Sequence, residues 1–345
     1  MTMKRINLAL QGGGAHGAFT WGVLDRLLQV EDIEIAGISG TSAGALNGAA
    51  LKAGLATGGR EAARENLDWL WGQVGALDET PIIDWMIAAS PTPGMMSTAL
   101  EYSPQYLAAD AAMRLFSPYS LGPFYRNPLE RIVRRFDFDN VCAKAGPALF
   151  ICATNVRTGK IKVFSGDEIG DSVIMASACL PTLFQAVHVT DPATGETDAY
   201  WDGGYTGNPA LFPLFDHALP ADIMVININP LERSRLPVSP QEIMNRINEI
   251  SFNSSLLREL RAIEFVQRLI AEGRMPVGAM KNVLIHMVSD DALMNELSVA
   301  TKVVPSGVVL AALKDAGQRA ADQFLEQHFD DLNVVSSVDL PKMFN

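Results

Sequence analysis

Short apolar runs that end at glycine alternate with helical patterns along this chain. Ile6–Leu10 runs into three consecutive glycines, and Ile33–Ile38 is followed after a short turn by the helix-compatible segment Ala43–Lys52. Apolar runs of this length are typical of strands that are buried on both faces of a parallel sheet. The pattern therefore predicts an α/β fold in which strands and helices alternate.

The same patterns predict the remaining elements. Between residues 55 and 130, clusters of proline and glycine favour loops between helices over additional sheet. Further strands are predicted at Ala148–Ala153, Lys160–Phe164, Ile223–Ile228 and Val283–Val288. Helices are predicted at Gly17–Gln29, Glu61–Val74, Ile82–Ala89, Leu129–Phe136, Asp171–Ala178, Pro240–Glu272 and Ser306–Phe329.

Two groups of apolar residues each have two interpretations. In the long helix Pro240–Glu272 apolar side chains recur every three or four residues, which favours packing against the sheet over contact with a membrane or a partner. In the stretch 55–130, ordinary packing is favoured over an apolar lip above a lipid site. The helix residues are Phe252, Leu256, Leu260, Ile263, Val266 and Ile270, and the lip residues are Met86, Ile87, Met95, Met96 and Leu100.

Charge and composition narrow the classes of partner. The 345 residues carry a net charge of −12 and a pI of about 4.9, which makes nucleic-acid binding and electrostatic attraction to an anionic membrane unfavourable. The chain enters a strand-like segment directly and has no apolar run of membrane-spanning length. Cys142, Cys152 and Cys179 lack metal-ligand spacing and suit reduced thiols. We expect a cytoplasmic protein without a metal.

A glycine-rich loop follows the first strand and precedes a helix. Its sequence, Gly12-Gly13-Gly14-Ala15-His16-Gly17, satisfies the dinucleotide pattern G-x-G-x-x-G. A dinucleotide site needs an acid at the carboxyl end of the second strand, but Glu31 and Asp32 precede that strand. A phosphate-binding loop of the Walker type fails because Ala18 and Phe19 replace Lys and Ser or Thr. The favoured alternative is an oxyanion hole, in which backbone N–H groups face a developing negative charge.

The second strand ends in a pattern that suits a nucleophilic serine. Gly40-Thr41-Ser42-Ala43-Gly44 matches G-x-S-x-G and lies between a strand and a helix, where the turn of a nucleophile elbow requires small neighbours. A third motif, Asp202-Gly203-Gly204, places an acid at a strand end, with Asn208-Pro209 behind it. Parallel strands deliver their carboxyl ends to one edge of a sheet, so the glycine loop and Ser42 are expected to meet there.

In this order the three motifs resemble the patatin-like phospholipase family, over roughly Ile6 to Ile228. The resemblance implies a three-layer α/β/α fold with a mostly parallel central sheet. It also implies hydrolysis of phospholipids or related acyl esters without a cofactor, together with transient contact with a membrane surface. Apart from the resemblance, the sequence has no internal repeat, low-complexity tract or clear linker, which favours one domain over 1–345. This domain would have a motif-bearing core at about 6–228, a helical excursion at 55–130 and a helical C-terminal extension at 235–345.

The resemblance assigns roles to individual residues. Ser42 is the implied nucleophile and Asp202 the implied general base, as a Ser-Asp dyad without histidine. The implied oxyanion hole consists of the N–H groups of the glycine loop and of the residue after the nucleophile. These donors are Gly12, Gly13, Gly14 and Ala43, and the supporting glycines are Gly17, Gly40, Gly44, Gly203 and Gly204.

Several alternatives remain open at the level of sequence. Many family members carry Arg or Lys where this chain has His16, for which a passive, space-filling role is favoured over a charged one. His188, His217 or His286 could complete a triad, although structural roles are favoured for all three. An acyl-serine could also pass its acyl group to an acceptor other than water, which would make the protein an acyltransferase. A catalytically silent lipid-binding protein is the third alternative.

Overall fold

One eight-stranded sheet runs through the part of the chain that the computed structural model describes, residues 3–77, 92–233, 235–276 and 278–344. The strands are β1 (Lys4–Leu10), β2 (Ile33–Thr41), β3 (Ala148–Asn155), β4 (Ile161–Ser165), β5 (Val187–Thr190), β6 (Thr197–Asp202), β7 (Asp222–Ile226) and β8 (Leu284–Val288). The helices are α1 (Gly17–Leu27), α2 (Ala43–Gly75), α3 (Pro93–Glu101), α4 (Pro104–Leu115), α5 (Glu130–Val133), α6 (Phe138–Val141), α7 (Asp171–Ser177), α8 (Pro240–Ala271), α9 (Asp291–Glu296), α10 (Val299–Val303), α11 (Gly307–His328) and α12 (Leu340–Met343).

The sheet is parallel on one side and antiparallel on the other. Across the sheet the strand order is β5, β6, β3, β2, β1, β7, β8, and β4 pairs with β3. The neighbours from β3 through β2, β1 and β7 to β8 are all parallel. β4, β5 and β6 pair in antiparallel fashion beside them. The mostly parallel sheet predicted from the sequence is therefore confirmed.

Helices cover both faces of the central strands, which is why their sequences are largely apolar. Along β1, Leu8 and Leu10 belong to an apolar cluster that includes buried residues of α1, α2 and α11. The intervening Ala9 faces the opposite way and joins a second cluster with Leu256 and Leu260 of α8. The chain thus forms three layers, α/β/α.

The long helix α8 packs on the sheet as its apolar spacing predicts. Leu256, Leu260 and Ile263 are buried, while Phe252 is partly exposed. Nowhere in the described ranges does a helix combine the length and apolar character that crossing a bilayer requires.

Several predicted elements differ in extent. The helices predicted at Ala43–Lys52 and Glu61–Val74 are joined in α2 across a kink at Gly59, whose φ of 75° takes it out of the helical region. The helix predicted to reach Phe136 ends at Val133, because the N–H groups of Arg135 and Phe136 bond to carbonyls three positions back instead of four. β5 was not predicted, since its four residues are too few for a clear alternating pattern.

The excursion between residues 55 and 130 is only partly described. The helix predicted at Ile82–Ala89 lies outside the described residues, together with Met86 and Ile87. Met96 and Leu100 are buried and Met95 is exposed, so two of the three described lip residues take part in packing.

Candidate active site

Three strand ends bring the predicted site residues to one edge of the sheet. β1 and β2 run parallel with Leu10 opposite Gly40, so the glycine loop and Ser42 leave the sheet side by side. β3 lies on the other side of β2, and its residue Ala153 pairs with Asp202, the last residue of antiparallel β6. The glycine loop and Ser42 therefore meet at this edge, as the carboxyl ends of neighbouring parallel strands predict, and Asp202 reaches the same edge from antiparallel β6.

Ser42 occupies a backbone conformation that side chains rarely adopt. Its φ of 55° and ψ of −121° turn the chain sharply from β2 into α2. Its N–H donates to Oγ of Ser177 at 2.9 Å, and the Ser177 hydroxyl in turn donates to the carbonyl of Cys152 at 2.6 Å. Ser177 lies 135 positions away, so no local pattern in the sequence indicates this support.

The glycines of the motifs let the loops approach each other closely. A Cβ on Gly12 would lie 2.6 Å from Cβ of Ser42, and a Cβ on Gly17 would lie 2.6 Å from Cβ of Ala43. Both distances are well inside van der Waals contact, so larger residues would push the glycine loop away from the elbow. Three further motif glycines are packed at least as tightly: Gly40, Gly44 and Gly203. A Cβ on Gly204 would lie 2.9 Å from the ring of Phe252.

Asp202 is fully buried and has one free carboxylate oxygen. Its Oδ1 accepts the N–H of Gly204 at 2.8 Å, whereas Oδ2 makes no hydrogen bond of regular geometry among the described residues. Burial raises the pKa of Asp202 to about 7, and interactions with the Gly204 N–H and the Ser42 hydroxyl lower it in part. The hydroxyl of Ser42 therefore lies near the carboxyl group without forming an aligned hydrogen bond, as is common in sites without substrate.

The N–H groups around Ser42 differ in their availability. The N–H of Gly12 donates to Oδ1 of Asn208 at 2.6 Å, so it is already engaged, unlike the free oxyanion donor expected from the sequence. The N–H groups of Gly13, Gly14 and Ala43 have no acceptor within the described residues. Three unpaired donors thus lie beside the serine, and Gly12 instead fixes the shape of the loop.

His16 is a buried, neutral side chain. Its Nε2 lies 2.8 Å from Oγ1 of Thr301, whose hydroxyl donates to the carbonyl of Ser298, so Nε2 carries the proton and donates. Burial, followed by the charges of Lys302 and Arg233, holds the pKa of His16 well below its usual value. This is the passive role favoured from the sequence, and it leaves the glycine loop without a charge of its own.

The three histidines considered for a triad lie elsewhere. His286 is buried on β8 and pairs with Oδ1 of Asp222 at 3.0 Å. His188 is exposed on β5, and His217 is exposed in the loop before the amino end of β7, at the opposite edge of the sheet. Of the hydrogen bonds between described residues, none joins these imidazoles to Ser42 or Asp202.

Cysteine and metal chemistry have little support in the described residues. Burial raises the pKa of the Cys152 thiol to about 11 and that of Cys179 to about 12, so both stay protonated at neutral pH. In residues 3–77, 92–233, 235–276 and 278–344, no three His, Cys, Asp or Glu side chains are grouped as metal ligands.

Comparison with protein families agrees with this geometry. A family model described as patatin-like phospholipase matches residues 8–215, more than half of the chain. The chain belongs to this family. The match includes all three motifs and ends before β7, so the family assignment does not extend to α8 and the elements after it. Membership indicates a lipid acyl hydrolase.

Solved structures similar to this patatin-like protein include those of VipD and ExoU. VipD of Legionella pneumophila is 14% identical with a TM-score of 0.34, over 91% of this chain and 67% of VipD. The type III effector ExoU is 16% identical with a TM-score of 0.38, over 94% of this chain and 54% of ExoU. ExoU of Pseudomonas aeruginosa in its heterodimer with SpcU is 15% identical, with a TM-score of 0.30 over 95% and 61%. The chain thus spans about half to two thirds of these proteins. No curated protein sequence matches it significantly.

Gly12→Ala is expected to lower both activity and stability, because the new Cβ would lie 2.6 Å from Cβ of Ser42 and 2.8 Å from the Thr41 carbonyl oxygen. We expect a loss of about 1–3 kcal/mol in the free energy of unfolding, as for overpacked cores, and at least tenfold slower ester hydrolysis. Urea unfolding and esterase kinetics measure the two effects.

Gly72→Ala is the matched control, since Gly72 lies within α2 with open space around it, and there alanine should stabilise the helix. Wild-type kinetics in Gly12→Ala would contradict the packing described here.

Proposed function

We propose that this patatin-like protein hydrolyses carboxylic esters of phospholipids or related acyl lipids through an acyl-serine intermediate. Ser42 is the nucleophile and Asp202 the general base. The observation that carries the proposal is the buried Asp202 carboxyl group, with one unpaired oxygen beside a serine held in a strained strand-to-helix turn. This pair lies next to three unpaired N–H groups, which supply the remaining part of an acyl-transfer site.

In the first half of the proposed reaction, Asp202 takes the proton of the Ser42 hydroxyl as Oγ attacks the ester carbonyl carbon. The carbonyl oxygen becomes an oxyanion, which accepts hydrogen bonds from Gly13, Gly14 and Ala43. The intermediate then collapses, the bond to the alcohol breaks, and the leaving oxygen takes the proton from Asp202. The acyl group remains on Ser42.

In the second half, a water molecule hydrolyses the acyl-serine ester by an equivalent series of steps. Asp202 takes a proton from the water as its oxygen attacks the acyl carbon, and the same N–H groups bind the oxyanion. The bond to Ser42 breaks, and its Oγ recovers the proton from Asp202. The products are a carboxylic acid and the regenerated serine.

The environment of Asp202 makes it a suitable base. An ordinary aspartate has a pKa near 3.9 and takes a proton from a hydroxyl poorly. Burial raises the pKa of Asp202 to about 7, which brings it close to neutral pH, where a general base works best. The start of α2 directly after Ser42 adds a positive helix end near the developing oxyanion.

A product-resolved panel tests this function. Wild type and Ser42→Ala are incubated with soluble esters and with phospholipid vesicles, in the presence and absence of glycerol as an acyl acceptor. Release of free fatty acid that depends on Ser42 supports the hydrolase. Products that appear mainly on glycerol would make the protein an acyltransferase. Failure of Ser42 to react with a fluorophosphonate would indicate a silent lipid-binding protein.

We further propose that the outward face of α8 contacts a membrane surface from the cytoplasmic side. This apolar stripe consists of Ile243, Met244, Ile247 and Ile250, which are 41%, 49%, 52% and 54% exposed. The same helix reaches the proposed site, because Phe252 stacks edge to face on Tyr205 at 5.1 Å. Since the chain is strongly acidic, we expect contact with zwitterionic lipid through apolar burial.

Ile247→Glu is expected to slow hydrolysis of phosphatidylcholine vesicles about tenfold and to leave hydrolysis of a soluble short-chain ester unchanged. The reason is that a charge on the stripe opposes burial in the interface, whereas the site itself is unaltered. Val335→Glu is the matched control, as Val335 is 51% exposed in the turn after α11. Its neighbour Asn333 donates to the carbonyl of Arg5 at the amino end of β1, at the sheet edge opposite the proposed site. Equal losses on both substrates, or equal effects of both variants on vesicles, would contradict the membrane contact.

A further inference from the structure

A group of charged side chains lies behind the glycine loop, outside the region that the family model matches. Glu249 of α8 pairs with Arg233 at 2.6 Å and with Arg246 at 3.3 Å. Lys302 of α10 lies 3.9 Å from the same carboxylate, so this contact is loose. The Lys302 side chain is only 16% exposed. Its shortest polar contact is a different one, a hydrogen bond of 3.0 Å to Oδ1 of Asn229.

Asn229 connects Lys302 to the backbone of the glycine loop. While Oδ1 accepts from Lys302, Nδ2 donates to the carbonyl of Gly12 at 2.8 Å. The Asn229 side chain is held in this orientation by Gln11, whose Oε1 accepts both its backbone N–H and its Nδ2. Asn229 is 1% exposed, so these bonds form in a dry, low-dielectric setting.

The carbonyl of Gly12 and the N–H of Gly13 belong to one peptide group. A hydrogen bond to a peptide carbonyl polarises the peptide group and strengthens its N–H as a donor. Here the carbonyl of Gly12 is bonded to Asn229, which is bonded to Lys302, so a positive charge on Lys302 increases this polarisation. The Gly13 N–H is one of the unpaired donors beside Ser42. A charge on Lys302 is therefore transmitted to a donor of the proposed oxyanion hole.

Packing places α10 directly on this loop. A Cβ on Gly14 would overlap the carbonyl oxygen of Lys302. The neighbouring Thr301 accepts the hydrogen bond of His16. Because His16 is neutral, it cannot supply a charge to the loop, whereas Lys302 can.

We propose that Lys302 is a positioning residue of the active site, which holds and polarises the Gly12–Gly13 peptide through Asn229 and so strengthens the oxyanion hole. This inference rests on the proposed function. It assigns a role in the reaction to the C-terminal part of the chain, which the three motifs do not cover.

The charge on Lys302 depends on pH near the working range. Burial and the repulsion of Arg233 lower the pKa of Lys302 to about 8, although Glu249 raises it in part. The charged and titratable groups that face it are Glu249 and Arg246 of α8, Arg233 before α8, and His16 of the glycine loop. Because a lysine is charged below its pKa, the polarisation is present below about pH 8 and lost above it. Hydrolysis should therefore decline above about pH 8.

The test compares Lys302→Met, Lys302→Gln and Lys302→Arg with a control, Lys281→Met. Lys281 is also a partly buried lysine whose pKa burial lowers, but it donates to the carbonyls of Leu214 and Asp216, which precede β7 at the opposite sheet edge. Two quantities are measured: kcat and KM on p-nitrophenyl butyrate, and the amide proton shift of Gly13 by NMR. Circular dichroism checks that each variant is folded, and Lys302→Gln replaces Lys302→Met if the latter does not fold.

We expect Lys302→Met to lower kcat about tenfold with KM within threefold of wild type, and to move the Gly13 amide proton upfield. Lys302→Arg should restore kcat and remove the decline above pH 8. A kcat or a Gly13 shift in Lys302→Met equal to that in Lys281→Met would overturn the inference. If the proposed function is wrong, ester turnover survives in Ser42→Ala. The change in the Gly13 amide proton shift on replacing Lys302 does not depend on that turnover, so the two failures are distinguishable.

Discussion

Ser42→Ala is expected to reduce ester hydrolysis by about 10⁴-fold or more while leaving the fold intact. Alanine keeps the Cβ of serine, so the sharp turn at φ 55° is no more strained than before. The variant loses the only atom that can form the acyl ester, and losses of this size follow removal of a catalytic serine elsewhere. Initial rates on a soluble ester and on phospholipid vesicles measure the effect.

Two controls keep this result specific. Ser254→Ala removes a hydroxyl that donates only to the Ser251 carbonyl of its own helix, and it should retain full activity. Wild type, but not Ser42→Ala, should react covalently with a fluorophosphonate. Turnover by folded Ser42→Ala at more than about a hundredth of the wild-type rate would rule out the acyl-serine mechanism.

Asp202→Asn is expected to lower kcat by about 10²- to 10⁴-fold, the usual contribution of a general base. In wild type the pKa of Asp202 is raised to about 7, so the carboxyl group is protonated and inactive as a base below that pH. Activity should therefore rise with pH through about 7. In Asp202→Asn this rise should be absent, because the amide does not titrate. A pH profile of kcat from 5 to 9 checks both statements.

The same substitution should stabilise the folded protein at high pH. Because the folded-state pKa of Asp202 lies above its unfolded value, ionisation disfavours the folded state, and this penalty grows as pH rises from about 4 through 7. Asparagine carries no charge and avoids the penalty. The melting temperature of Asp202→Asn should match wild type near pH 4 and exceed it at pH 8.

Glu259→Gln is the matched control for Asp202. Burial also raises the pKa of Glu259 to about 7, but its carboxylate accepts the N–H groups of Leu211 and Phe212. We expect this variant to change the pH dependence of stability and to keep the rise of kcat near pH 7. If Asp202→Asn also keeps that rise, the base is another group, and His188, His217 and His286 are the residues to replace next.

The central strands and the elbow could be predicted from the sequence because their signals are local. Ile6–Leu10 and Ile33–Ile38 are largely apolar runs, and each is followed two positions later by a glycine that allows a tight turn into a helix. Parallel strands also share one edge, so a pattern at two strand ends predicts a meeting of two loops. The match of the family model to residues 8–215 confirms the family that these motifs resemble.

The supporting contacts of the site could not be predicted in this way. Ser177 holds the N–H of Ser42 from 135 positions away, and Asn229 reaches Gly12 across 217 positions. Serine and asparagine are common, and nothing in their own neighbourhood distinguishes these two from others. The hydrogen bond from the Gly12 N–H to Oδ1 of Asn208 could not be predicted either, because it joins residues 196 positions apart.

The sequence by itself determined the order of the three motifs and the strands and helices that carry them. It also made Ser42 a candidate nucleophile and, through the resemblance to the family, Asp202 a candidate base. Only the tertiary structure decided which N–H groups remain unpaired, that Asp202 is buried deeply enough for its pKa to reach about 7, and that Lys302 stands behind the glycine loop. The physical reason is that strand and turn preferences act between neighbours in the chain. Desolvation and hydrogen bonding instead depend on which distant segments exclude water from a given atom.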